Sequence, residues 1–146
     1  MFPFKFKSIY KKVVRKTRVK KVRKVRGILA TKKYIEHKEV ARKIVLEKLK
    51  VYKNIYLELG YDLSFNRVAI RDTKTRWGSC SSKKNLNFNY RLALLPSHLI
   101  DYIVVHELCH LKEMNHQKSF WGLVSLTFPN YNNLKQELKL INLHKL

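Results

Sequence analysis

Four residues within one short stretch carry the chemistry of this chain: His106, Glu107, His110 and His116. Residues four apart on a helix lie one turn above each other, so His106 and His110 can present imidazole nitrogens to a single metal ion. Glu107 is offset from His106 by about a quarter turn. That offset sets its carboxylate beside the metal and not on it, where it can take a proton from an activated water and return it to a leaving group. The chemistry implied is hydrolysis.

A catalytic zinc takes three protein ligands and keeps a fourth position open, so a helix with two histidines needs another donor. Glu113 and His116 are the candidates. A helix continued through Glu113 keeps it near the same face but carries it further along the axis. A turn after Met114 instead folds His116 back toward the metal. We favour His116 as the third ligand, with Glu113 as a partner that orients a ligand imidazole. His106 to His116 also matches the metzincin register H-E-x-x-H-x-x-G-x-x-H. Glu113 stands where its turn glycine belongs, however, and no Met-turn can be assigned downstream, which argues against a metzincin.

The elements that must position these residues follow from periodicity. Val40, Ala41, Ile44, Leu49, Tyr52, Ile55, Tyr56 and Leu59 trace one broad apolar face, which predicts a long helix from about Tyr34, with Gly60 placed to end it. The period then changes. Val68 and Ile70 alternate with basic residues, Asp72 to Thr75 supplies a turn, a second strand is expected near Arg76 to Cys80, and Leu86, Phe88 and Tyr90 mark a third. A small antiparallel sheet is expected from these. Pro96-Ser97 opens the metal-binding helix, with Ser97 as its N-cap and an end near Asn115, a residue that tolerates left-handed backbone. Phe120 to Phe128 and Tyr131 to Ile141 give two further helices, parted by Pro129.

Other residues earn a place by position. Arg76 and Trp77 precede the strands that build the site and are candidates to line the cleft. Asn87, Asn89 and Arg91 fall on the polar face of a candidate edge strand, along which an extended peptide can be added. Tyr102, one turn before His106, is either packed or a donor to a substrate oxygen.

Composition bounds the rest. The 146 residues suffice for one domain with an appendage. The most apolar stretch, Leu92 to Val105, is broken by Pro96, Ser97, His98 and Asp101, so no membrane span is expected. The first residues never develop the apolar region of a secretory signal, which predicts a cytoplasmic protein. Cys80 and Cys109 read as reduced core thiols. The net charge of +22 is uneven: fourteen of the 32 Lys and Arg lie in residues 1–33, which hold no acid, whereas residues 34–146 set eighteen bases against ten acids. We therefore separate a basic N-terminal arm, residues 1–33, from a domain at 34–146. Such an arm suits nucleic acid, bound through its phosphates with little sequence preference. Within it Phe6, Ile9, Tyr10, Val13 and Val14 have helical spacing.

Several blocks occur in one order: Arg76-Trp77-Gly78-Ser79-Cys80-Ser81, Asn85 to Leu92, Asp101-Tyr102 through His110, and Asn115-His116 ahead of Phe120-Trp121. From about Tyr34 to Tyr131 the chain resembles the YgjP-like zinc metallopeptidases, related to the SprT and WLM groups. The resemblance implies an α+β, zincin-like minimal metallopeptidase with a long N-terminal helix, a sheet of about three strands, an active-site helix and C-terminal helices. It also implies one Zn2+ held by His106, His110 and His116, Glu107 as the base, and a peptide or protein substrate. A nucleotide phosphoanhydride is the alternative substrate for the same machinery. Where many relatives carry a longer N-terminal sheet region, this chain has its basic leader.

Overall fold

The computed structural model describes residue 32 and residues 34–143. The basic arm apart from Lys32, with its Phe6 to Val14 stretch, and His144 lie outside the described residues. Contacts divide the chain into residues 1–36 and residues 37–146, and every strand of the described residues belongs to the second unit.

The first helix, α1 (residues 34–58), buries Ala41, Val45, Leu49 and Tyr56, spaced by whole turns. The stripe is narrower than its sequence suggests, since Val40 and Leu59 stay about half exposed. Gly60 ends the helix at φ 87°, in the left-handed region that costs glycine nothing. There Tyr61 N–H donates to the Tyr56 carbonyl (2.8 Å) and Gly60 N–H to that of Leu57 (3.0 Å), which satisfies the last turn.

Three strands come next: β1 (Arg67–Arg71), β2 (Gly78–Cys80) and β3 (Asn85–Asn89). Their order is β1-β3-β2, with β3 antiparallel to β2 but parallel to β1. The expected all-antiparallel sheet is therefore mixed. The tight turn between β2 and β3, closed by Lys84 N–H on the Ser81 carbonyl (2.8 Å), forces antiparallel pairing there. β1 pairs on the opposite side of β3, and that pairing is parallel. Leu86 and Phe88 of the central strand are fully buried beside Val68 and Ile70.

A 3-10 turn (Tyr90–Leu94) leads into α2 (Ser97–Cys109), then α3 (Lys118–Ser125) and α4 (Tyr131–Leu140). Helix α2 buries residues around most of its circumference and contacts β2, α3 and α4, as befits a central helix. Pro96 occupies its N-cap without a side-chain cap. Ser97, expected there, is already helical; its hydroxyl accepts from Lys48 (2.9 Å), which also ion-pairs with Asp101 and so clamps α1 to α2. Tyr56 hydroxyl donates to the Leu123 carbonyl (2.8 Å), fastening α1 to α3 beneath the site. No helix among the described residues is long and apolar enough to cross a membrane.

Candidate active site

Helix α2 ends at Cys109, earlier than the expected stop near Asn115. The cause is local. Leu111 N–H turns to the Leu108 carbonyl (3.0 Å), Glu113 N–H to that of Cys109 (3.0 Å), and the His110 ring closes the turn with Nδ1 3.0 Å from the Glu113 carbonyl. A carbonyl can only accept, so Nδ1 carries the proton and Nε2 is left with its lone pair exposed. The reversal returns His116 to the face of α2.

Three imidazoles now converge. His116 Nε2 lies 3.0 Å from His106 Nε2 and 3.1 Å from His110 Nε2. These separations are close to the roughly 3.3 Å edge of a tetrahedron with zinc–nitrogen bonds of about 2.0 Å. Lone pairs that close repel unless a cation lies between them. Burial, reinforced by the other histidines and Lys135, lowers the His106 pKa to about 3, and burial likewise lowers that of His110. Both are neutral at pH 7, the state that ligates. The donor set thus fits a metal ion.

The rings are fixed by aromatic packing. Phe120 lies under all three, stacked on His110 at 4.4 Å between centroids, and Trp121 stacks on His116 at 5.6 Å. Both come from α3, whose start is set by the same reversal that returns His116.

Glu107 occupies the other flank, and it is buried. Burial raises its pKa to about 8, against an opposing pull from Arg76. Its Oε2 has no hydrogen-bond partner among the described residues. Its seat is made by Gly78 of β2: a Cβ at that position would sit 2.6 Å from Glu107 Oε1 and 2.7 Å from Cγ. No side chain larger than hydrogen leaves the carboxylate in place. Beside it the Cys80 thiol, pushed up to about 11 by burial and then by Glu107, stays protonated.

A cavity of about 720 Å³ opens onto the histidines and Glu107, lined also by Arg76, Trp77, Tyr102, Trp121 and Lys135. Arg76 and Trp77, candidates to line the cleft, are at its wall, and Tyr102 is both buried and at the wall. Asn89 and Arg91, expected as substrate contacts, do not line this cavity. β3 is the central strand and has no free edge, so the buried Asn89 turns inward and donates to the carbonyls of Thr73 (2.7 Å) and Arg76 (3.2 Å). Arg91 pairs with Asp72 (2.6 Å) and lies over the Tyr90 ring. Glu113 orients His110, but through its backbone carbonyl; its carboxylate accepts from Ser119 (3.1 Å).

Gly78, Phe120, Trp121 and Lys135 went unassigned in the sequence. A glycine inside a three-residue strand signals a close approach, and an aromatic pair four and five residues past His116 could have been weighed as a platform. Nothing distinguishes Lys135 from the other basic residues.

Fold and site together define a metallopeptidase-like domain. The chain belongs to the YgjP-like family, whose metallopeptidase domain matches residues 6–140. That match begins well before Tyr34, where the sequence motifs start, and takes in most of the basic arm. The metallopeptidase zymogen of Pyrococcus abyssi abylysin is similar, with a TM-score of 0.55 and 28% identity over 64% of this chain and 90% of that one. The zymogen of Methanocaldococcus jannaschii jannalysin gives 0.51 and 27% over 69% and 97%. Over 45 residues the chain is 42% identical to the UTP pyrophosphatase of Escherichia coli (strain K12). That stretch is 31% of this chain and spans 27% of that protein's length. Family membership implies a metal cofactor.

Proposed function

We propose that the chain is a zinc-dependent hydrolase that cuts peptide bonds, with His106, His110 and His116 holding one zinc ion and Glu107 as general base. The observation that carries this reading is the meeting of three Nε2 atoms beside a buried, unpartnered carboxylate. Bound zinc supplies Lewis acidity, polarising a carbonyl and making water more acidic. Glu107 takes the proton of the attacking water and delivers it to the departing amine. Arg76 and Trp77 contact the substrate from the β2 side. Glu107→Gln abolishes turnover while zinc stays bound; hydrolysis at the wild-type rate in that variant overturns the mechanism.

A second reading keeps the site and exchanges the substrate for a nucleotide phosphoanhydride. It draws on the likeness to the UTP pyrophosphatase. Parallel assays on casein and on nucleoside triphosphates separate the two, and pyrophosphate release without peptide cleavage decides for the nucleotide. Residues 1–33, as a basic arm, add a nucleic-acid contact that falls steeply with salt and can bring cleavage to bound proteins. Loss of that contact on deleting residues 1–26 supports the arm; unchanged binding removes it. We place the protein in the cytoplasm, in keeping with its free thiols Cys80 and Cys109.

A further inference from the structure

We propose that Arg76 and Lys135 make the cleft select substrates that carry a negatively charged group next to the bond being cut. The proposal rests on the hydrolase reading of the same cleft and names the chemistry of what enters it.

Both cations line the cavity, one on each flank of the reactive groups. Arg76 stands two residues before Gly78, whose backbone seats Glu107. Lys135 comes from α4 and lies over the Trp121 ring, with Nζ 4.5 Å from its centroid, while Trp121 in turn stacks on His116. One positive charge thus flanks the carboxylate and the other flanks the histidines.

Among the described residues Arg76 acts on the buried Glu107 carboxyl without forming an ion pair, and Lys135 faces the Trp121 ring. The described ion pairs leave both without a carboxylate, whereas Lys48 and Arg91 are matched to Asp101 and Asp72. The contrast is informative because Lys135 is half-buried, and a partly desolvated ammonium without a counter-charge is costly. Glu107 is the one acid among the described residues that line the cavity, and the two cations outnumber it. An anion arriving with the substrate supplies the missing partner.

The backbone of Arg76 is fixed in advance, although its side chain is exposed. Its carbonyl accepts from Thr73 Oγ1 (2.6 Å) and from Asn89 Nδ2 (3.2 Å), so the backbone from which the guanidinium extends is tied to the central strand. Fixed anchoring reduces what must be ordered when the anion binds. A carboxylate of an acidic peptide and a phosphate group both satisfy this pair; the shared requirement is negative charge at the edge of the reaction centre.

The test uses the full-length, zinc-loaded Glu107→Gln chain, so that binding is read without turnover. Its probes are two peptides that differ only in Glu or Gln beside the central bond, and inorganic pyrophosphate as competitor. The acidic peptide should bind about tenfold more tightly than the neutral one, a ratio typical of a well-placed charge pair. Adding Arg76→Gln and Lys135→Gln should reduce that ratio below about twofold, and Arg76→Lys with Lys135→Arg should restore most of it. Melting temperature and zinc content certify that the variants fold. Tight pyrophosphate competition lost in the same double variant assigns the anion to phosphate and supports the pair equally. The basic arm is present in every variant, so a preference that survives Arg76→Gln and Lys135→Gln belongs to the arm and overturns the proposal. Equal affinity for both peptides, with no competition by pyrophosphate, overturns it as well. A preference seen in a protein whose wild type hydrolyses neither peptides nor nucleotides would sink the hydrolase reading and leave the selection standing.

Discussion

The two flanks of α2 hold their functional groups by opposite means. On the α3 side the histidines are surrounded: Phe120 lies under all three rings, Trp121 backs His116, and the Glu113 carbonyl orients His110. On the β2 side Glu107 is held by an absence, the missing side chain of Gly78, with its Oε2 unpartnered among the described residues. Several partial supports degrade gradually when one is removed, whereas a single steric allowance fails at once. The metal flank should therefore respond to substitution in grades and the base flank abruptly.

Glu107→Gln gives the largest effect, a fall in turnover of about a thousandfold or more, with zinc content unchanged. Steady-state kinetics beside metal analysis read both quantities, and loss of zinc would mean that the carboxylate helps to hold the metal. Gly78→Ala comes next. Displacing Glu107 should cost on the order of a hundredfold in kcat, again with zinc retained. A melting-temperature cycle isolates the contact, because Gly78→Ala should be nearly neutral once Glu107→Ala has removed the clash. Full activity in Gly78→Ala would erase the contrast between the flanks. On the other side, Trp121→Ala should weaken zinc affinity by about tenfold without abolishing it, the size expected for a group supporting a ligand. A loss as complete as that of a ligand would show the metal flank to be no more graded than the base flank.

Charge sharpens the same contrast in the metal-free protein. Glu107 has its pKa raised to about 8 by burial, so the folded state disfavours its ionised form. Below its ordinary value of 4.5 the group is protonated in both states and costs nothing; the penalty grows between 4.5 and about 8 and is complete above that. His106 works in the opposite direction: its pKa, lowered from 6.5 to about 3, makes stability fall as pH drops through that window. In chelator, Glu107→Gln should gain on the wild type by a few kcal/mol between about pH 5 and pH 8. Chemical denaturation at the two pH values checks it, and a constant difference would place Glu107 in water. The smallest effect is expected at Asn89→Ala, a loss of about 1–3 kcal/mol of stability as the Thr73 carbonyl loses its Asn89 donor and that of Arg76 keeps only Thr73 Oγ1.

The parts visible in the sequence are those set by local spacing. His106, Glu107, His110 and His116 lie close together in the chain, the apolar period of α1 is regular, and Gly60 marks its end without any tertiary information. What escaped depends on partners far apart in sequence. The parallel pairing of β1 with β3 is a long-range choice, and it alone turns Asn89 from an edge residue into a buried tether. The early end of α2 reflects a tight turn of backbone bonds closed by the His110 ring on the Glu113 carbonyl, which no period records. Gly78 and Lys135 acquire roles only through what folding sets beside them, Glu107 in one case and Trp121 in the other.

The most direct test of the metal flank is a zinc titration of the full-length chain, wild type beside His116→Ala. One equivalent bound by the wild type, with affinity reduced at least about a hundredfold in the variant, is the result expected if His116 completes the site. Full zinc occupancy at unchanged affinity in His116→Ala would contradict it and return Glu113 as the third ligand.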